Sequence, residues 1–152
     1  MPQGTQRSLA WVCVVRQQIQ SAILGATVLD SEDYLHQVMA IRGALGATLV
    51  DYASGLAIRS AGQVPSEDHM LGAAGVAGIV YATLSSAALV QVGRAGQLDD
   101  IVVTAGNGYH LLHFMTGRSV RLVLYLWLDR ALGNLAMAQR QVGLTTAELV
   151  AG

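Results

Sequence analysis

Two histidines, His110 and His113, are the residues of this sequence whose type best suits chemistry, because imidazole is the commonest metal ligand in proteins. They lie in YHLLHFM (109–115), a segment that follows the turn residues Gly106-Asn107-Gly108 and favours a β-strand. An odd spacing in a strand places two side chains on opposite faces of the sheet, so the two rings do not converge. We therefore expect one half-buried and one exposed histidine, and no metal site.

The other strongly reactive side chains stand alone in the sequence. His36 and His69 lie at or near predicted helix starts and have no second ligand nearby. Cys13 lies in an apolar stretch without an adjacent base, which indicates an inert thiol rather than a nucleophile. None of the three predicts a catalytic or metal-binding role.

Three polar motifs have structural interpretations. The acidic pair Asp99-Asp100 directly begins a strand, which indicates solvated charges at a sheet edge. Ser85 and Ser86 fall inside a predicted helix, where backbone and packing roles are commonest. No helix follows the glycine turn at 106–108, so it does not form a phosphate-binding loop. The sequence thus predicts no catalytic residue, no cofactor and no metal, and a protein that is not an enzyme.

The composition is unusually apolar for one domain. The chain has 152 residues, of which 53% are hydrophobic and 12% charged, with a mean hydropathy of +0.45. Ordinary soluble domains carry about 25% charged residues. Nine arginines are scattered singly and there is no lysine, so no basic stripe offers a nucleic-acid surface. A single cysteine excludes an intramolecular disulfide and fits a reducing compartment, the cytoplasm.

Residues 70–93 contain no acidic or basic side chain and are long enough to span a bilayer. They consist mainly of small residues with little transfer energy, so we expect a buried helix rather than a membrane span. The apolar run 9–15 is stopped by Arg16 and lacks a cleavage site, which argues against an export signal. We interpret residues 1–30 as an N-terminal extension, with a helix near 8–24, before a domain at 31–152. Any membrane association would be peripheral, through a partner.

The first half of the domain has the pattern helix, hairpin, helix. Asp30 or Ser31 caps a short helix that Gly43 ends. Two strands at 44–51 and 56–61 enclose a Ser-Gly turn. Ser66 is the predicted cap of a long helix that reaches about Val92, with Glu67 and Asp68 in its first turn. Inside this helix the small residues form a ridge suited to close contact with another backbone; they are Gly72, Ala74, Gly75 and Gly78.

The second half has three strands and a helix. Strands at 101–105, 109–115 and 120–129 are joined by turns at 106–108 and 116–119. Both faces of the last strand are largely apolar, so helices are expected to cover both sides of the sheet. The final helix presents Leu132, Leu135, Ala136 and Met137, and Thr145 with Glu148 caps a last short turn. The order α-β-β-α-β-β-β-α predicts an α/β (α+β) fold, a three-layer α-β-α sandwich with a five-stranded antiparallel sheet.

The segment GALGATLVDYASGLAIRSAG (43–62) resembles the first hairpin of roadblock/dynein light-chain (roadblock/LC7) domains of the bacterial type. That pattern is glycine, a hydrophobic residue, any residue, Gly-Ala, three hydrophobic residues and aspartate, then a glycine turn and a short strand like L-x-I-A-S. Here Ser60 keeps the serine position, and Arg59 stands where the pattern has alanine. The small-residue helix and the later strands continue the resemblance over residues 31–142, roughly three-quarters of the chain.

The resemblance implies a profilin-like fold and a non-catalytic homodimer that regulates or scaffolds a small Ras-like GTPase. Third strands of two subunits would pair into one sheet and the long helices would lie side by side. Carried onto this sequence, the interface residues are Gly72, Gly75, Gly78, Tyr81, Ile101, Val102 and Val103. A free strand edge promotes aggregation, and a charge-free helix exposes an apolar patch. An isologous dimer would bury both.

The resemblance leaves the effect on the GTPase open. Stimulated hydrolysis would come from ordering the catalytic loops of the GTPase or from a donated arginine, for which Arg94 and Arg118 are candidates. The alternative is a ligand-sensing signalling module of similar architecture, which needs a cavity with converging polar groups. The small residues of the long helix favour close contacts over a cavity.

Overall fold

The computed structural model describes residues 28–86, 98–115 and 121–151. These residues form three helices and five strands in the predicted order. The elements are α1 (Val28–Met39), β1 (Ala44–Asp51), β2 (Leu56–Gly62), α2 (His69–Leu84), β3 (Asp100–Ala105), β4 (Gly108–Phe114), β5 (Leu122–Leu128) and α3 (Leu135–Ala151). The predicted helix near 8–24, Cys13 and the turn at 116–119 lie outside the described residues. The division at residue 30 stays a prediction.

The sheet has the order β2-β1-β5-β4-β3, and all neighbouring strands are antiparallel. β5 lies at the centre because its alternating residues bury both faces, as predicted. Leu122, Leu124, Leu126 and Leu128 pack in one core cluster with residues of α1 and α3. Val123 and Tyr125 pack in a second cluster with α2. The three-layer α-β-α sandwich is therefore confirmed.

The first helix begins at Val28, two residues before Asp30 and three before Ser31, the two predicted caps. Both residues therefore lie within α1. The buried side of the helix contains Tyr34, Leu35 and Val38. Gly43 follows with φ +88°, a conformation that favours glycine, and a Cβ there would lie 2.6 Å from Gly133 Cα.

Helix α2 differs from the prediction at both ends. Asp68, not Ser66, is the N-cap, and its side chain accepts a hydrogen bond from Met70 N at 2.9 Å. Glu67 has φ 60° and lies outside the helix. The helix ends at Leu84 rather than near Val92, with Ser85 as C-cap, so Ser85 and Ser86 follow the helix instead of lying inside it. Residues 87–97 are outside the described ranges.

The last helix contains three of the four residues predicted for it, Leu135, Ala136 and Met137, but they do not form its buried side. Ala138, Val142 and Thr146 are the residues that α3 buries, whereas Ala136 and Met137 are exposed. Asn134 Oδ1 accepts a hydrogen bond from Met137 N at 3.0 Å and caps the start of the helix.

Leu132, which was predicted to lie in this helix, precedes it in a turn and is 60% exposed. Thr145 and Glu148 lie within α3, which continues to Ala151 without the predicted new turn. One continuous helix therefore covers its side of the sheet.

The β3–β4 hairpin has the predicted turn. Gly106 and Asn107 form the loop, and Gly108 already pairs with Ala105. Gly108 has φ +146°, and a Cβ there would lie 2.6 Å from Leu128 O, so the close approach of β5 requires glycine at this position. The strand bounds of both hairpins match the predicted ones within a residue or two. No helix in the described part of the chain is long and apolar enough to cross a membrane.

Candidate functional site

The outward side of α2 is apolar and carries no charge. Residues 70–84 contain no acidic or basic side chain. Ala73, Val76 and Val80 bury one side of the helix against the sheet. The opposite side is exposed and consists of Leu71, Gly75, Gly78 and Ala82, spaced by four, three and four residues, which we call the outer stripe of α2. This spacing is that of a helix face that contacts a second helix.

The glycines of the stripe are not required by the protomer itself. A Cβ built on Gly75 or Gly78 meets nothing within 4 Å. Each glycine inside a helix costs about 1 kcal/mol relative to alanine, so their presence needs a reason outside the protomer. Gly72 differs, because its Cβ would lie 3.5 Å from Ser66 Oγ, in the connection before the helix. The structure therefore places Gly75 and Gly78 on one exposed surface and Gly72 outside it.

Large apolar side chains lie within and beside the stripe. Tyr81 is 76% exposed and Leu71 63%. Ile79 and Met70 are also exposed. A charge-free helix face with exposed large hydrophobic side chains is typical of a surface that a partner covers.

β3 is one edge of the sheet and pairs with β4. Phe114 N donates to Asp99 O at 2.9 Å, which sets the alternation of the ladder. In this alternation the N–H and C=O groups of Val102 and Thr104 point away from β4, toward the open edge. Ile101 and Val102 are half-buried on opposite faces, and Val103 is 38% exposed. The groups that the edge of β3 offers to a partner are therefore mainly main-chain N–H and C=O groups.

Both ends of β3 are held by residues from elsewhere in the chain. At its start, the Asp100 carboxylate contacts His113 Nδ1 at 2.6 Å and accepts from Gln139 Nε2, on α3, at 3.2 Å. At its end, Arg130 Nη1 donates to Ala105 O at 3.2 Å. Asp100 is therefore not the solvated charge that we predicted, although Asp99 is exposed as expected. The sequence carries no local signal for these contacts.

The two histidines of β4 lie on opposite faces, as predicted, but both are partly buried and neither is the exposed one that we expected. His110 contacts Tyr125 OH through Nδ1 at 2.8 Å and Asn107 Oδ1 through Nε2 at 2.9 Å. Burial lowers the pKa of His110, and burial raises the pKa of Tyr125 to about 12. His113 instead contacts Asp100. The rings serve separate hydrogen-bond networks.

The remaining candidates do not assemble a reactive site. His69 Nδ1 lies 3.1 Å from Thr48 Oγ1, while His36 is exposed. Across residues 28–86, 98–115 and 121–151, no group of three or more His, Cys, Asp and Glu side chains has the geometry to hold a metal ion. Arg94 and Arg118 lie outside these ranges. What the structure presents instead is two separate exposed surfaces, the outer stripe of α2 and the edge of β3.

This arrangement of sheet and helices is the roadblock/LC7 fold. MglB from Myxococcus xanthus is similar with a TM-score of 0.67 and 20% identity, over 81% of this chain and 86% of that chain. A roadblock/LC7 domain from Streptomyces avermitilis is similar with a TM-score of 0.57 and 19% identity, over 75% of this chain and 88% of that one. A structure described as MglB with tetrameric arrangement has a TM-score of 0.63 and 18% identity, over 79% of this chain and 85% of its own. No family model and no curated protein matches the sequence.

Proposed function

We propose that this protein is a homodimeric, non-catalytic regulator or scaffold of a small Ras-like GTPase in the bacterial cytoplasm. The observation that carries the proposal is the outer stripe of α2. It is an exposed, uncharged helix face with two glycines, Gly75 and Gly78, that the packing of the protomer does not require. The roadblock/LC7 fold adds the class of partner, because the resemblance of the sequence to that family implies a GTPase.

Dimerisation is supported by both surfaces. A second α2 helix lying on the outer stripe can approach closely because Gly75, Gly78 and Ala82 have little or no side chain. Identical helices without charges do not repel each other in an isologous contact. The open backbone of β3 would pair with its copy, which removes an edge that otherwise promotes aggregation. A protein of the same fold, MglB, is described in a tetrameric arrangement.

A regulatory rather than catalytic role is supported by how the two histidines of β4 are held. His110 and His113 are each tied into hydrogen bonds on opposite faces, so they do not share a substrate. An effect on GTP hydrolysis would therefore come from binding, by ordering the catalytic loops of the GTPase or by presenting an arginine to its phosphates. Arg94 and Arg118 remain the predicted candidates for the arginine that would contact the phosphates.

The proposal is tested by affinity capture on the immobilised full chain from extracts of the source cell loaded with GTP or with GDP. We expect a small Ras-like GTPase to be recovered with a preference for one nucleotide, and its hydrolysis rate is then measured with and without this protein. Recovery of only a bound metabolite would instead support the ligand-sensing alternative.

A matched pair of variants tests the homodimer by sedimentation. Thr104→Pro removes an N–H that points to the open edge of β3, so the β3–β4 ladder keeps its hydrogen bonds. Thr104→Ala keeps that N–H. We expect Thr104→Ala to sediment as a dimer at micromolar concentration and Thr104→Pro as a monomer. A wild-type chain that is a stable monomer at that concentration would refute the homodimer.

A further inference from the structure

The opposite edge of the sheet, β2, carries a groove that the dimer does not use. Helix α1 lies beside this edge, and an open groove of about 500 Å³ runs between them. This volume is in the range of clefts that bind ligands. The residues that line it are Glu32, Asp33, Leu35, His36, Met39, Arg59, Ser60 and Ala61.

The backbone of β2 is free where it borders the groove. Gln63 N donates to Leu45 O at 3.0 Å, which sets the alternation along this part of the β1–β2 ladder. In this alternation Ala61 and Arg59, two and four residues before Gln63, also form main-chain hydrogen bonds with β1, opposite Ala47 and Leu49. Ser60 lies between them, so its N–H and C=O point outward, to the open edge.

The side chain of Ser60 faces the other layer. Ser60 pairs with Thr48, whose hydroxyl contacts His69 at the start of α2. Side chains alternate along a strand, so Ser60 borders the groove on the α1 side with its main chain. An unpaired donor and acceptor therefore lie at the wall of an open groove, which is the geometry for addition of a β-strand.

The charges of the groove favour a basic occupant. Two carboxylates, Glu32 and Asp33, face one guanidinium, Arg59. Arg59 Nη1 lies 3.4 Å from Glu32 Oε1. Among the described residues Asp33 makes no ion pair, and its side chain is exposed. The floor is apolar, with Leu35 buried and Met39 half-buried.

A β-bulge makes the edge unsuitable for a second copy of β2. The register of β1 and β2 shifts between Leu49 and Val50, so that the bulge falls at Ile58. Bulges interrupt edge-to-edge pairing of long strands, and two copies would also bring the excess negative charge of both grooves together. After the bulge, within residues 59–62, the main-chain groups of Ser60 point to the open edge, which leaves room for a short segment to pair there.

We propose that the edge of β2 is a docking surface for an extended segment of a partner protein, which adds as a short β-strand and places a basic side chain against Asp33. Backbone hydrogen bonds to Ser60 hold the segment, the apolar floor takes a small aliphatic side chain, and the carboxylate selects arginine or lysine. This surface lies at the opposite edge of the sheet from β3.

The test uses a fluorescein-labelled, acetylated nonapeptide of alternating threonine and valine with one central arginine, and the same peptide with glutamate instead. Fluorescence anisotropy measures binding to the full chain. An exposed ion pair contributes about 0.2–1 kcal/mol, so the arginine peptide should bind roughly 1.4- to fivefold more tightly than the glutamate peptide. Asp33→Arg, an exposed helix substitution, should invert that preference.

Ser60→Pro removes the outward N–H without breaking a bond to β1, and Ser60→Ala keeps it. We expect Ser60→Ala to bind like the wild type and Ser60→Pro to bind at least tenfold more weakly, with circular dichroism showing both to be folded. Equal binding by both variants, no binding of the arginine peptide, or no response to Asp33→Arg would overturn the proposal. Loss of binding on Thr104→Pro would place the peptide on β3 instead. A change in oligomeric state on Ser60→Pro would show that the occupant is a second copy, and this too would overturn it.

Discussion

Gly78→Arg should make the protomer more stable and the dimer less stable. Gly78 is exposed at the middle of the outer stripe of α2, and a Cβ there meets nothing within 4 Å. The protomer therefore has room for the new side chain. Replacing a helical glycine by arginine recovers most of the glycine penalty, about 0.8 kcal/mol.

The effect on the dimer has the opposite sign and is larger. In an isologous interface each substitution occurs twice, so two guanidinium groups would meet on a helix face that offers no carboxylate between residues 70 and 84. Burying charge without a partner costs several kcal/mol per ion. We take 3 kcal/mol as a rough lower bound, which raises the dissociation constant more than about 100-fold.

Gly143→Arg is the matched control. Gly143 lies in α3 and also has nothing within 4 Å of its built Cβ, so it should give a similar gain in helix stability without touching the stripe. Sedimentation velocity over a dilution series measures the dissociation constant, and urea unfolding at concentrations where the protomer is populated measures its stability. A Gly78→Arg chain that dimerises as tightly as the wild type would refute the assignment of the stripe. A less stable protomer would refute the reasoning about free space.

Two further predictions concern polar groups of the core and sheet. Tyr34 OH and Thr146 Oγ1 form a buried hydrogen bond of 2.8 Å, so Tyr34→Phe should lower the free energy of urea unfolding by about 1–3 kcal/mol. Tyr34→Phe combined with Thr146→Val should recover part of that loss, because no buried hydroxyl is left unpaired; a double variant as unstable as the sum of both singles would contradict this account. Burial lowers the pKa of His110 below its ordinary 6.5, so the unfolded chain binds a proton more readily and the free energy of unfolding should fall as the pH drops below that value. His110→Gln should reduce this dependence in urea titrations between pH 7.5 and 5.5, and an unchanged slope would exclude His110 as its source.

Most of the fold was predictable because its signals are local. The alternation of leucines in β5 requires a strand with two covered faces, and the turn at Gly106 and Asn107 fixes the hairpin beside it. Gly43 and Gly55, with φ +88° and +73°, lie at the chain reversals that their position in the sequence indicates. Strand bounds follow from these features within a residue or two.

The helix faces and the polar contacts were not predictable to the same degree. α3 begins after a cap at Asn134, so Leu132, which the sequence placed in this helix, lies in the preceding turn. Gly72 and Gly78 are six residues apart, a third of a turn out of phase in an α-helix, so the spacing of the glycines alone did not identify the outer stripe. Asp100 meets Gln139 across 39 residues of sequence, which only the packing of α3 on the sheet determines.

The anchoring of β3 at both of its ends has a consequence for the thermodynamics of association. The Asp100 carboxylate holds the start of this strand to His113 and Gln139, and Arg130 holds its end at Ala105. An edge strand fixed in this way loses its conformational freedom when the protomer folds, not when a partner strand arrives. Association through this edge should therefore carry a small entropic penalty, which lets a short strand of six residues contribute to a stable complex.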